Sequence, residues 1–181
     1  MLFAAENSRL YVAVIQKAVG RNFRTIPVMK TLTLFCLLTL PTLAADTTIV
    51  GKVVGVHDGD TLTLRTLNET LKLRLFGIDT PELGQPFGNN AKQALSQMVF
   101  GRSVTISSTG KDRYGRTLGV VFLGNGNVNA QMIRMGMAWH YKQYSESVPM
   151  QQFEDYARAN KIGLWADPNP ITPWDWRKGK R

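Results

Sequence analysis

Two pairs of acidic residues stand at turns of an otherwise basic chain. Asp58 and Asp60 flank a glycine in the segment HDGDT, and Asp79 and Glu82 lie in IDTPE directly after a predicted strand. Carboxylates, backbone carbonyls and hydroxyls are hard oxygen ligands, which suit Ca²⁺ or Mg²⁺ better than Zn²⁺. The first pair is also an ordinary turn sequence, because Asp and Gly readily adopt turn conformations. Taken alone, it predicts either a turn or a hard-cation site.

A zinc site has little support in the composition. The chain has two histidines, and its single cysteine, Cys36, lies in an apolar N-terminal run. Zinc sites are built mainly from such nitrogen and sulfur ligands. The acidic residues therefore remain the principal metal-ligand candidates.

Two arginines accompany the acidic segments. Arg74 precedes Asp79 by five residues in LKLRLFGID, and a bend near Gly77 would bring the two to the same edge. Such an arginine serves either as a structural ion pair or as a phosphate ligand. Arg116 follows the turn in GKDRYGR, which is otherwise typical of a solvated hairpin.

These residues must be positioned by a small set of strands and helices. Period-two alternation predicts strands in TIVGKVVGV, TLTLRTL, TLKLRLFGI, SVTISS and RTLGVVFL. Helical spacing predicts helices in NNAKQALSQMVF and VNAQMIRMGMA, and a third from near Ser147 with Pro149 in its first turn. The third helix is expected to bury Met150, Phe153, Tyr156 and Ala157. Five strands and three helices predict an α+β protein with a five-stranded OB-fold barrel.

The segment after Met29 is typical of a secretory signal peptide. Lys30 is followed by the apolar run TLTLFCLLTL and the small residues of PTLAA. About 20 apolar residues are needed to cross a bilayer, so this shorter run does not predict a retained span. We expect cleavage near Ala44 or Ala45, a secreted or periplasmic protein, and no stable membrane insertion afterwards.

The domain boundaries follow from these patterns. Residues 1–45 are predicted to be an N-terminal extension with the signal peptide, 46–166 the folded domain, and 167–181 a basic tail. The tail is expected to be extended, with Trp174 and Trp176 either docked or exposed. Its basic end and two tryptophans also allow a hypothesis of binding to anionic membranes.

The charge balance favours polyanionic partners. The chain has 22 Lys+Arg and 13 Asp+Glu, a formal net charge of +9. Removing residues 1–45 removes five basic residues and one acidic residue, which leaves 17 − 12 = +5. A basic protein attracts nucleic acid or an anionic membrane surface, although such a charge also serves solubility alone.

The blocks VHDGDT, RLFGIDTPE and KDRYGR, in this order, resemble the staphylococcal (micrococcal) nuclease or thermonuclease family. The resemblance runs from about Ile49 to Trp165. It implies an OB-fold barrel with three helices and Ca²⁺-dependent hydrolysis of DNA and RNA. By position, it further implies that Asp60 and Asp79 are direct Ca²⁺ ligands, that Thr80 adds its backbone carbonyl, and that Asp58 supports the site from behind.

The resemblance also implies roles around the substrate. Arg74 and Arg116 would bind the scissile phosphate, and Glu82 would lie near the attacking water as a general base or a positioning group. The nucleotide-binding pocket would contain Tyr114, Trp139 and Tyr141, with Trp139 where the best-known member has a tyrosine.

The favoured hypothesis is a monomeric secreted or periplasmic nuclease that leaves 3′-phosphate ends with little sequence specificity. Aromatic side chains can stack on any base, which agrees with low specificity. The alternative is a nucleic-acid-binding module of the same fold without catalysis.

Overall fold

The computed structural model describes residues 47–180, so the predicted signal segment lies outside the described residues. The strands are β1 Thr47–Val56, β2 Thr61–Arg65, β3 Thr70–Leu75, β4 Ile78–Asp79, β5 Ser103–Lys111, β6 Thr117–Leu123, β7 Gly126–Asn127 and β8 Trp139–His140. The α-helices are α1 Gly88–Val99, α2 Val128–Arg134, α3 Val148–Ala159 and α4 Pro173–Trp176, with a 3₁₀ turn at Gly163–Ala166. None of the helices in this part of the chain combines the length and apolarity that a membrane crossing requires.

Five strands close into a barrel. Their order is β3-β2-β1-β5-β6, and β3 pairs with β6 to complete the circle. The closing pair is parallel and aligns Leu73 with Thr117 and Leu75 with Gly119, whereas the other neighbours are antiparallel. Closure pairs strand edges that would otherwise remain open. The predicted α+β barrel is confirmed.

The barrel core is built from alternate strand residues and one face of α1. Leu62 and Leu64 of β2 and Leu73 of β3 are fully buried. Successive strand side chains point to opposite faces, so every second residue reaches the core. Of the α1 residues that the sequence places at helical spacing, Ala91, Leu95 and Val99 are fully buried and Met98 is partly buried, so this helix packs one face against the barrel core.

The third predicted helix begins where expected and buries Met150 and Ala157 as predicted, with Phe153 partly buried, but it does not bury Tyr156. The Ser147 side chain accepts a hydrogen bond from the Met150 amide, and Pro149 lies in the first turn, as predicted. Tyr156, expected in the core, is 50% exposed. Glu154 takes the inward position instead, where Oε1 accepts a hydrogen bond from the guanidinium of Arg158 at 3.3 Å. A paired carboxylate can occupy such a position, because its partner compensates part of the desolvation cost.

A buried asparagine connects the strands that carry the site. Asn129 of α2 is fully buried. Its Oδ1 accepts a hydrogen bond from the Val121 amide at 3.0 Å, and its Nδ2 donates to the Phe76 carbonyl at 2.9 Å. Buried backbone groups require partners, so Asn129 fixes the turn after β3 against β6.

The C-terminal segment is folded onto the body, and the prediction of an extended tail is wrong. Thr172 caps the short helix α4 by accepting from the Asp175 amide at 3.3 Å. The Trp174 ring packs against Trp139, with ring centroids 5.7 Å apart. The threonine cap and Pro173 at the first helical position together start a helix in a proline-rich sequence.

Candidate active site

Strand register brings Asp60 and Arg74 together. Thr61, the first residue of β2, pairs with Arg74 near the end of β3. Asp60 therefore lies next to the Arg74 side chain, and the Nη1 of Arg74 donates to its Oδ1. The contact follows from the antiparallel pairing and not from closeness in sequence.

The bend predicted at Gly77 is present and joins Arg74 to Asp79. Gly77 has φ 76°, a left-handed conformation that costs glycine little. Beyond it, β4 turns back and pairs with β8, aligning Asp79 with Trp139. The Nη2 of Arg74 donates to the Asp79 Oδ1 at 2.6 Å, which confirms that the two residues share one edge of the barrel.

Asp60 is held on both of its carboxylate oxygens. Oδ2 accepts hydrogen bonds from the Thr80 amide at 3.0 Å and the Thr80 hydroxyl at 2.8 Å. Oδ1, which receives Arg74, also accepts from the Thr61 hydroxyl at 3.2 Å. The neighbouring Gly59 allows this packing, because a Cβ there would lie 2.7 Å from both the Thr80 Oγ1 and the Ala91 Cβ.

Burial raises the pKa of Asp60 to about 7, against an ordinary value of 3.8. The Arg74 charge works in the opposite direction, while the nearby Asp58 and Asp79 carboxylates raise the pKa further. Burial also opposes the charge on Arg74, but Asp60 and Asp79 outweigh it and raise the pKa of that guanidinium. Burial is therefore the main reason why Asp60 holds its proton more tightly, and the neighbouring carboxylates add to this effect.

Asp58 organises the turn that presents Asp60. Its Oδ1 accepts from the Asp60 amide at 3.0 Å and from the Thr61 amide at 2.7 Å. This is the local hydrogen bonding by which aspartate stabilises turns. The turn interpretation of HDGDT is thus correct for Asp58, while Asp60 of the same segment lies in the acidic site.

Arg116 is oriented by an acid on its own hairpin. The Asp112 Oδ2 accepts from the Arg116 Nε at 2.6 Å, and its Oδ1 accepts from the backbone amides of Tyr114 and Arg116, each at 2.9 Å. Burial disfavours the charge on Asp112, but these hydrogen bonds outweigh it and lower the pKa of the carboxyl. The hairpin of GKDRYGR therefore fixes one side of the guanidinium.

A cleft of about 640 Å³ connects these elements. Six of the predicted site residues line it: Asp58, Arg74, Glu82, Tyr114, Arg116 and Tyr141. Asp60, Asp79 and Thr80 lie behind Arg74 and are buried. The structure thus brings nine of the ten predicted residues to one cleft or its floor.

The two tyrosines differ in their surroundings. Tyr114 is 69% exposed, with the guanidinium carbons of Arg113 and Arg116 at 4.8 and 5.6 Å from its ring centroid. Tyr141 stacks on Trp174 with a centroid distance of 5.3 Å and an interplanar angle of 6°. Tyr114 therefore presents a free aromatic surface, whereas Tyr141 shares its ring with the C-terminal segment.

Trp139 does not lie at the cleft surface where a nucleotide-stacking residue was expected. It is 7% exposed, and its ring packs edge-on against Trp165, with centroids 4.3 Å apart. The Arg158 guanidinium lies 4.8 Å from its ring centroid. The pairing of β8 with β4 directs this side chain into a hydrophobic cluster with Ala157, Leu164 and Trp165, so its placement is that of a core residue.

Sequence reasoning missed Arg177, which contacts two predicted site residues. Its Nη1 lies 2.5 Å from the Glu82 Oε1, and its Nη2 lies 2.7 Å from the Asp79 Oδ2. Hydrogen bonding to Asp79 is the main cause that raises the pKa of this arginine. The sequence shows only a basic C-terminus, and no local pattern connects residues 177 and 79.

The residues that could hold a metal ion are the predicted set of Asp60, Asp79 and Thr80. Two carboxylates and a backbone carbonyl supply hard oxygen donors, which suit Ca²⁺. The Asp60 and Asp79 carboxylates are buried beside each other, and a hard cation would offset their charges, so the set fits such an ion. Among residues 47–180, no group of three or more His, Cys, Asp or Glu side chains is arranged to hold a metal, so such a site depends on these few groups.

Comparisons with known proteins agree with this arrangement. The family described as Staphylococcal nuclease homologue matches residues 72–167. A Haemophilus influenzae protein named as an uncharacterized endonuclease is 47% identical over 131 residues, which cover 72% of this chain and 74% of that protein. A Shigella flexneri protein named micrococcal nuclease is 41% identical over 142 residues, which cover 72% of this chain and 82% of that protein.

Proposed function

The chain belongs to the family of staphylococcal nuclease homologues, and on this basis we propose that it hydrolyses phosphodiester bonds in DNA and RNA. The observation that carries the proposal is the group formed by Arg74 with the buried Asp60 and Asp79. Glu82 and Arg116 line the same cleft. A complete set of this kind argues against a module that only binds nucleic acid.

The arginines supply fixed positive charge for the reacting phosphate. Negative charge builds on the phosphoryl oxygens as water attacks, and preorganised donors stabilise this charge in the transition state. Arg74 is anchored by Asp60 and Asp79, and Arg116 is anchored by Asp112. Both guanidinium groups therefore donate to the phosphate from fixed positions, with little reorganisation during the reaction.

Glu82 accepts a hydrogen bond from the attacking water, either as a general base or as a positioning group. The water oxygen forms a bond to phosphorus, and the bond from phosphorus to the 5′ oxygen breaks. The attacking water loses a proton to Glu82 or to solvent, and the leaving 5′ oxygen gains one. The products are a 3′-phosphate and a 5′-hydroxyl.

Ca²⁺ is the proposed cofactor, held by Asp60, Asp79 and the backbone carbonyl of Thr80. When bound, it would polarise a phosphate oxygen and offset the carboxylate charges that repel the substrate. The chain's own contribution is to keep the two carboxylates buried beside each other.

Bases would be held without regard to sequence. The exposed ring of Tyr114 and the partly buried ring of Tyr141 line the cleft and can stack on any base. The basic charge of the chain attracts the backbone of the nucleic acid. We further propose that the protein acts outside the cytoplasm, on the basis of the signal-like segment after Met29, and that it acts as a monomer.

Digestion of plasmid DNA and single-stranded RNA tests this function. The purified protein should cut both with Ca²⁺ and neither with excess chelator, and end-group analysis should find 3′-phosphates. Nucleic acid that is bound but left uncut, with or without metal, would instead support the non-catalytic module of the same fold.

A further inference from the structure

The C-terminal arm, residues 167–180, crosses the predicted site. Arg177 spans the cleft floor and contacts both Asp79 and Glu82. The arm follows the family match, which ends at residue 167. Its contacts with the site therefore involve residues that the family model does not match.

Two further contacts, at Ile171 and Trp174, hold the arm in place before the chain reaches Arg177. The Gln85 Nε2 donates to the Ile171 carbonyl at 2.7 Å, and the Gln85 Oε1 accepts from the Glu82 amide at 3.0 Å. Trp174 stacks on Tyr141 at 5.3 Å. One glutamine thus ties the loop carrying Glu82 to the arm, and the stack places α4 beside the cleft.

Arg177 occupies the atoms that a metal ion would need. The Asp79 Oδ2 accepts from its Nη2 at 2.7 Å, and the Asp79 Oδ1 lies 2.6 Å from Arg74 and 3.3 Å from the Arg177 Nη1. Both oxygens of this buried carboxylate therefore face guanidinium groups. A cation that binds Asp79 therefore competes with these donors for the same two oxygens.

The two arginines are not equally able to leave. The Arg74 side chain is 18% exposed and lies between two buried carboxylates, whereas the Arg177 side chain is 42% exposed. Withdrawal of Arg177 returns its guanidinium to water, while the buried Asp79 keeps its contact with Arg74. Withdrawal of Arg74 would separate a largely buried network, which is costly.

We propose that Arg177 is an internal cation that holds Asp79 and Glu82 and competes with a divalent metal ion for them. The C-terminal arm thereby sets the metal affinity of the site. In the metal-free protein the guanidinium neutralises the acids, and a hard cation takes its place when it binds. This inference rests on the proposed metal site.

Calcium titration by calorimetry, together with NMR, tests the proposal on the full chain. Arg177→Gln should lower the dissociation constant for Ca²⁺ about five- to tenfold, because the competing charge is gone. Arg177→Lys keeps the charge without the planar pair of donors, so its dissociation constant for Ca²⁺ should lie between those of the wild type and Arg177→Gln. In the wild type, the Arg177 Nε–Hε resonance should shift with the same midpoint as the heat of binding.

Lys178→Gln is the matched control, since it removes one positive charge from the next residue of the same arm. Among the described residues, Lys178 forms no ion pair with Asp79 or Glu82. Its dissociation constant should stay within about twofold of the wild type, and thermal unfolding should show that all variants are folded.

Equal Ca²⁺ affinity in the wild type and Arg177→Gln, or an Arg177 signal that does not respond to bound Ca²⁺, would overturn the proposal. So would the absence of Ca²⁺ binding by both proteins. Tighter binding by Arg177→Gln without any cleavage of nucleic acid would support it while contradicting the proposed function. The two claims can therefore fail separately.

Discussion

Arg74 bridges Asp60 and Asp79, which precede and follow it in the chain by 14 and five residues. The bridge needs a planar group with two donors, since each carboxylate faces a different nitrogen. Both acids are buried, at 1% and 0% exposure, so water cannot replace a hydrogen bond that either of them loses.

Arg74→Lys should therefore fail although it keeps the charge. An ammonium group cannot reproduce the forked geometry, so we expect kcat/KM for nucleic acid to fall at least about 100-fold. Steady-state cleavage of an oligonucleotide measures this. Arg65→Lys is the matched control, because Arg65 ends the neighbouring strand in an exposed position, and it should keep full activity.

Asp112→Asn should weaken catalysis through Arg116. The amide oxygen can still accept the backbone hydrogen bonds, but the Nδ2 that replaces Oδ2 is a donor, so the 2.6 Å contact with the Arg116 Nε is lost. We expect about a tenfold loss in kcat/KM with little change in thermal stability. Unchanged kinetics would mean that Arg116 needs no support from this hairpin or does not bind the phosphate.

The stability of the metal-free protein should depend on pH through Asp60. Its pKa is about 7 in the folded protein, against an ordinary value of 3.8, so the folded state binds the proton more tightly than the unfolded state does. The resulting stabilisation is fully present below about pH 4 and is lost as the pH rises through about 7. The slope reaches at most about 1.4 kcal/mol per pH unit.

Chemical denaturation in the presence of chelator can isolate this contribution. Asp60→Asn removes the titration, so the free energy of unfolding of the wild type relative to this variant should decrease between pH 4 and 7. Glu69→Gln, in an exposed turn, controls for the loss of one acid. If the free energy of unfolding of the wild type relative to Asp60→Asn stayed constant between pH 4 and 7, the raised pKa of Asp60 would be contradicted.

Tyr114 and Trp139 should respond to alanine substitution in opposite ways. Tyr114→Ala should raise KM about fivefold or more through lost base stacking, and should change the free energy of unfolding by less than about 0.5 kcal/mol. Trp139→Ala should lower that free energy by about 3–5 kcal/mol, because it empties a packed cluster. Comparable destabilisation by both would contradict the placement of Tyr114 at the surface.

The strands and most of the site could be predicted from the sequence because they depend on local patterns. Alternation identifies β2 and β3, and turn residues such as Gly77 mark where the chain reverses. The acids and Arg74 lie at the ends of these elements, so their meeting follows from the order of strands and a single bend. Arg116 was assigned through the family resemblance, since its hairpin alone is typical of a solvated turn.

The errors concern contacts between distant parts of the chain. Trp139 looks like a surface aromatic beside Tyr141, but the short pairing of β8 with β4 turns it inward. Arg177 lies 95 residues beyond Glu82, and no periodicity indicates which acid a terminal arginine will meet. The burial of Glu154 in place of Tyr156 likewise depends on the partner Arg158.

In the proposed mechanism, this cleft cuts phosphodiester bonds with Glu82 next to the attacking water. The most direct measurement is the single-turnover rate of cleavage of an end-labelled oligonucleotide in saturating Ca²⁺, for the wild type and Glu82→Gln. We predict at least about a 100-fold lower rate for the variant with similar substrate binding, because the amide cannot accept the water proton. A variant that cuts as fast as the wild type, or a wild type that binds the oligonucleotide and leaves it whole, would contradict the account.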